Sequence, residues 1–149
     1  MRHITEAGLK LIQDHEGLRL KAYPDPGSGG EPWTIGFGHT GNVQAGDVCT
    51  EADALAWLRD DVAWAERCVE RAIGTAVATD NEFEAMVSLA FNVGCANFQT
   101  STVLRLVIEG SENEDLYRHA FKMWNKAAGH EMAGLTKRRA DEAEHFLTA

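Results

Sequence analysis

Three residues in the first quarter of the chain have the types and spacing to break a polar covalent bond. They are Glu16 at the end of a helical pattern, Asp25 nine residues later in a loop, and Thr34 entering a short strand. Glycosidic cleavage needs such a set: a protonated carboxylic acid donates to the leaving oxygen, and a second carboxylate activates water or stabilises positive charge on the sugar. The two environments must push the carboxyl pKa values apart. Glu16 falls where the helix dipole is negative, which costs a carboxylate about 0.3–1 kcal/mol and favours its acid form. On spacing alone each residue also has a plainer reading. Glu16 reads as an ordinary helix-end residue, Asp25 as a turn residue between two prolines, and Thr34 as a strand threonine.

Other chemistries drop out. There is no phosphate-binding loop, no dinucleotide glycine fingerprint and no nucleophile-elbow serine, and His130-Glu131 is not followed by a metalloprotease histidine. Asp25 to Gly30 begins like a calcium loop, but position twelve is Gly36 where a bidentate Glu is required, so neither a metal nor a cofactor is expected. Cys49, Cys68 and Cys95 are odd in number and lack the C-x-x-C spacing, which predicts reduced, mostly buried thiols.

The elements that must position these residues follow from periodicity and punctuation. Thr5 reads as the N-cap of a first helix carrying Leu9 and Ile12 and ending at Gly17. All three prolines fall between Pro24 and Pro32, in a turn-rich loop that feeds a strand within Trp33–Gly38. Thr50 opens a long helix over about 50–74, with Leu55, Leu58, Val62, Ala65, Val69 and Ala72 on its apolar face. Its other face, Glu51, Asp53, Asp60, Asp61, Glu66 and Glu70, reads as solvated. Thr79 with Glu82, and Ser111 with Glu114, have capping-box spacing and start two further helices. Segments at 101–108 and 135–147 complete a helical second half.

Composition bounds the rest. With 149 residues, 44% apolar and 25% charged, the chain is one folded domain rather than a disordered tail, a fibre or a coiled-coil rod. The net charge of −9 disfavours nucleic acid and anionic membranes as partners. No stretch reaches about 18 apolar residues and the N-terminus lacks an apolar signal core, so no membrane insertion and no signal peptide are expected.

Longer runs carry a resemblance. Asp14-His15-Glu16-Gly17-Leu18-Arg19-Leu20-Lys21-Ala22-Tyr23, then Trp33-Thr34-Ile35-Gly36-Phe37-Gly38-His39-Thr40, resemble the phage-type lysozymes, glycoside hydrolase family 24. The similarity continues through Ala90-Phe91-Asn92-Val93-Gly94-Cys95-Ala96-Asn97-Phe98, Ser101-Thr102-Val103-Leu104 and Ala133-Gly134-Leu135-Thr136-Lys137-Arg138-Arg139, covering essentially the whole chain.

The resemblance implies an α+β, mainly α, lysozyme-like fold with two lobes. A small N-terminal sheet lies in a lobe at about 1–50, a connecting helix at about 50–74 and a helical lobe at about 75–149, with substrate in the groove between. It implies an endolysin that hydrolyses the β-1,4 bond between N-acetylmuramic acid and N-acetylglucosamine in peptidoglycan. Glu16 would be the general acid, and Asp25 with Thr34 would position or activate water, with inversion at the anomeric carbon. Arg138 matches an arginine that reaches the glutamate in the family; its alternative is a solvated cation near a helix start. His39 and Asn92 are candidate substrate contacts, each with a structural alternative at the sheet edge or the helix cap.

One departure stands out. Eight residues separate Asp25 from Thr34 where the family commonly has five, and the insertion makes Glu31 a rival second carboxylate. Lys10, Arg19, Lys21, Lys137, Arg138 and Arg139 are expected to gather near the groove. The protein would be a monomer, made in the host cytoplasm and released to the wall through a holin. The competing readings are a lytic transglycosylase, which needs neither Asp25 nor Thr34, and a non-catalytic wall-binding module.

Overall fold

The computed structural model describes all 149 residues. The chain divides into two compact units, one of Ile12–Ala63 and one of Met1–Leu11 with Trp64–Ala149.

In the first unit, the end of α1 (Glu6–Glu16) leads into β1 (Arg19–Tyr23), then β2 (Thr34–Gly36) and α2 (Glu51–Asp61). β1 and β2 pair antiparallel, with Arg19 opposite Gly36 and Tyr23 opposite Thr34. The longer advance along β1 than along β2 marks a bulge, a device that bends a strand and re-aims its side chains. Thr50 caps α2 as its spacing demands: its hydroxyl accepts from Asp53 N at 3.1 Å while the Asp53 carboxylate accepts from Thr50 N at 3.1 Å. Ile12, Ala22, Ile35, Phe37, Ala54 and Leu58 form the buried core of this unit. Gly36 admits α2 closely, since a Cβ there would lie 3.1 Å from Ala54 Cβ.

The second unit holds α3 (Ala63–Ile73), α4 (Asp80–Val93), α5 (Cys95–Gln99), α6 (Thr102–Glu109), α7 (Glu114–Lys122), the hairpin β3 (Lys126–Ala127) and β4 (His130–Glu131), and α8 (Ala133–Leu147). α4 is its centre: every residue from Phe83 to Ala90 is buried, and α8 packs along it. The Thr79–Glu82 capping box forms.

The structure corrects several expectations. The helix at 50–74 is two helices, α2 and α3, meeting at Val62. The cap of α7 is Asn113, whose side chain accepts from Leu116 N, rather than Ser111. β1, α5 and the β3–β4 hairpin had no sequence counterpart. The acidic face is only partly solvated: Glu66 is 1% exposed and accepts the Ile4 amide at 2.7 Å and contacts His3 Nδ1 at 3.1 Å, while Glu70 accepts the Arg2 amide.

The thiols are not all reduced. Cys68 and Cys95 form a disulfide with Cα atoms 6.0 Å apart, and only Cys49 is free. α3 and the start of α5 bring the two together across 27 residues of sequence, a proximity that no local spacing encodes. Burial and the Asp53 charge push the Cys49 thiol above its ordinary pKa, so it is a poor nucleophile.

Candidate active site

Glu16 is the last residue of α1 and is half-buried. Gly17 follows at φ +71°, the left-handed conformation that closes a helix and that glycine adopts without steric cost. The chain therefore turns at once into β1. Beyond β2, the turn Gly36-Phe37-Gly38 is shut by paired backbone bonds between Ile35 and His39, at 2.9 and 2.8 Å. Gly38, at φ +86°, lies against the acid: a Cβ there would sit 3.5 Å from Glu16 Oε1.

His39 locks that turn in place. Its Nδ1 lies 2.8 Å from Asp61 Oδ2 on α2, and its ring stacks on Trp57 with centroids 4.8 Å apart and planes 11° from parallel. The sequence reads Asp61 only as one acid of a solvated face, which this pairing corrects, and does not single out Trp57, because an acid in an acidic row and an aromatic on a helix carry no distinguishing signal.

Asp25 lies in the β1–β2 connection, two residues beyond Tyr23, which opposes Thr34. Its Oδ2 accepts from Gly27 N at 3.1 Å and Ser28 N at 3.0 Å, so the turn reading of this residue holds. Oδ1 receives no hydrogen bond from the protein, which leaves one carboxylate oxygen able to accept a proton from water. Thr34 opens β2 half-buried, and its hydroxyl makes no hydrogen bond within the protein. Glu31 is exposed in the inserted loop, where its carbonyl accepts from the Ser28 hydroxyl at 2.6 Å.

The remaining candidates lie in the helical unit. Arg138 is 5% exposed on α8, with Nε 3.4 Å from Glu142 Oε2, so it is no solvated cation. Arg139 is fully buried, with Nε 2.7 Å from Glu142 Oε1 and Nη2 3.0 Å from Oε2, and it is unavailable to line a groove. Burial pushes the Glu142 carboxyl up and the Arg139 guanidinium down, each against the pull of its partner. The Ser88 hydroxyl donates to Glu142 Oε2 at 2.5 Å, tying α4 to α8. Asn92 is exposed near the end of α4, where Gly94 at φ +94° follows as C-cap. Lys137 pairs with Asp141 at 2.8 Å, and Arg19 covers the Tyr23 ring at 4.5 Å.

A mainly helical chain with a small antiparallel sheet carrying candidate site residues beside a helix-end glutamate has the architecture of a lysozyme. The muramidase domain of SpmX from Asticaccaulis excentricus superposes with a TM-score of 0.86 at 37% identity, covering 99% of this chain and 100% of that one. The phage lysozyme family profile matches residues 13–142. The endolysin of Acyrthosiphon pisum secondary endosymbiont phage 1 is 39% identical, over 99% of both chains. That of Salmonella phage P22 is 35% identical, over 99% of this chain and 100% of its own length. The chain belongs to the phage lysozyme family. Its activity is that of a lysozyme, a muramidase of the endolysin class.

Proposed function

We propose that the protein hydrolyses the β-1,4 bond between N-acetylmuramic acid and N-acetylglucosamine in peptidoglycan, with Glu16 as general acid and Asp25 and Thr34 on the attacking water. Glu16 donates its proton to the glycosidic oxygen as the bond to the anomeric carbon breaks. Asp25 Oδ1 accepts a proton from water, and the Thr34 hydroxyl orients that water for attack on the opposite face, so the configuration inverts. One observation carries this reading: Asp25 spends one carboxylate oxygen on its own turn and keeps the other unclaimed, beside a strand whose first residue offers an unclaimed hydroxyl. Gly38, lacking a side chain, leaves Glu16 approachable from the turn. Asn92, exposed near the end of α4, is a proposed substrate contact, Arg138 acts as a buried charged neighbour of Glu142 rather than a direct contact, and His39 acts on substrate chiefly by holding the turn.

No helix is long and apolar enough to cross a membrane. Access to the wall at lysis is proposed to run through a holin, with the protein acting as a monomer in the cell wall compartment. Digestion of purified peptidoglycan by wild type and Glu16→Gln, with fragments identified by mass spectrometry, tests the chemistry. Reducing muramic acid ends from wild type, cut by about a thousandfold or more in the variant, are the expected result. Anhydro-muramic ends would move the assignment to transglycosylation and remove Asp25 from its role.

A further inference from the structure

α2, α4, α6 and α7 each begin at a residue of their own sequence, Thr50, Thr79, Ser101 and Asn113, whose side chain accepts from a backbone amide of the first turn. Such a cap decides where a helix starts and leaves its place in the molecule to packing. α1 has a tie of another kind. The amide and the hydroxyl of Thr5 both donate to Oε2 of Glu84, a residue of α4 that is 1% exposed and stands 79 positions further along the chain. Oε1 of the same carboxylate lies 2.9 Å from His145 Nε2 on α8. One buried side chain thus joins the start of α1 to two other helices. The contact reaches into the first turn, since a Cβ at Gly8 would lie 2.7 Å from Cδ and Cγ of Glu84.

What this tie controls lies at the other end of the helix. α1 runs unbroken from Glu6 to Glu16. Eleven residues at a rise of about 1.5 Å put Glu16 about 16 Å from Thr5 along the axis, and eleven steps of about 100° return it to within about 20° of the side that carries Thr5. The ladder of backbone hydrogen bonds makes so short a helix stiff, so a slide or a turn at its start reappears at its end. A local cap closes the first turn and does not govern either movement. A carboxylate held on a different helix governs both.

We propose that Glu84 is a positioning residue for the cleavage reaction: it fixes the height and rotation of α1, and through them the placement of the Glu16 carboxyl. The proposal rests on the reading of Glu16 as general acid. Proton donation is sensitive to placement, because moving a reacting group by about 1 Å costs about a hundredfold in rate. Binding of the glycan is spread over many contacts and responds far less. Loss of the tie therefore lowers kcat and spares KM, the pattern of an interaction that serves the transition state alone.

The test combines kinetics on soluble glycan strands with ¹⁵N NMR. Glu84→Ala removes all three contacts, and Thr5→Val, at an exposed position, removes the hydroxyl alone. The first should lower kcat by about tenfold or more and the second by about threefold, with KM within about twofold of wild type in both. Glu84→Gln keeps an oxygen that accepts from Thr5 and gains an N–H that donates to His145, so its kcat should return to within about twofold of wild type. Tyr117→Phe, which loses the 2.8 Å bond to the Ser111 carbonyl in the same unit, should lower stability and leave kcat unchanged. In the NMR spectra of Glu84→Ala and Thr5→Val, the amide resonances of Glu16 and Gly17 should move together with those of the first turn. Wild-type kcat in either folded variant, or shifts that die out by Leu9, would overturn the proposal; if Glu84→Ala does not fold, Thr5→Val decides. Muramic acid ends from wild type, with kcat indifferent to both substitutions, remove only the positioning role. No cleavage products from wild type remove the muramidase reading and this proposal with it.

Discussion

At the scale of single residues, Asp25 combines an observed role in its turn with a proposed one on water. Its Oδ2 closes the turn through Gly27 and Ser28, and its Oδ1 faces no protein donor. Asp25→Asn therefore separates the roles, because the amide oxygen still accepts from both backbone amides while the proton-accepting charge is gone. The fold should survive, with a stability within about 0.5 kcal/mol of wild type by urea denaturation, and turnover of peptidoglycan should fall by about 10²–10⁴-fold. Near-normal turnover in this variant would assign Asp25 to the turn alone. How far the sequence discloses such roles depends on how local they are. The proposed site residues Glu16 and Thr34 are legible in contiguous runs of sequence, whereas the use of Gly38 is not: its closeness to Glu16 exists only once α1 and β2 stand side by side.

At the scale of elements, capping and periodicity are legible because both lie within a few residues of each other. Thr50 with Asp53 and Thr79 with Glu82 form as their spacing requires. Ser111 with Glu114 has the same spacing and loses the cap to Asn113, since both residues can supply it and only the loop geometry chooses. β1 escapes notice because it buries only Ala22 fully, so alternation leaves almost no trace. Buried carboxylates escape as well: Glu84 reads as one acid on α4, yet it takes the Thr5 amide and hydroxyl and sits 2.9 Å from His145 Nε2. That junction explains Gly8 in the first turn of α1, where a Cβ would lie 2.7 Å from Glu84 Cδ and Cγ. Alanine ordinarily favours a helix over glycine by about 1 kcal/mol. Here overpacking of a buried side chain, at about 1–3 kcal/mol, outweighs it. Urea unfolding of Gly8→Ala should show a net loss of stability, and a gain would mean that Glu84 yields freely.

At the scale of the whole molecule, the Cys68–Cys95 bond closes a loop of 27 residues around all of α4. Removing such a constraint from the unfolded chain costs about 3.5 kcal/mol by loop entropy. The Cys68→Ser variant, or the wild type under dithiothreitol, should unfold at a correspondingly lower denaturant concentration, and thiol titration of the denatured wild type should rise from one group to three on reduction. Three groups before reduction would show that the bond does not form. The sequence conceals this pairing because it is a meeting of distant elements, as is every contact that anchors residues 2–5. Those contacts also bear on how the chain comes into being. α1 leaves the ribosome before α3 and α4, yet the amides of Ile4 and Thr5 find their acceptors only when Glu66 and Glu84 have been made, and Glu84 meets His145 later still. The helix that ends in Glu16 is thus born without its anchor. Until α8 has been made, the segment that carries Glu16 lacks its full set of anchors and stands open to proteases.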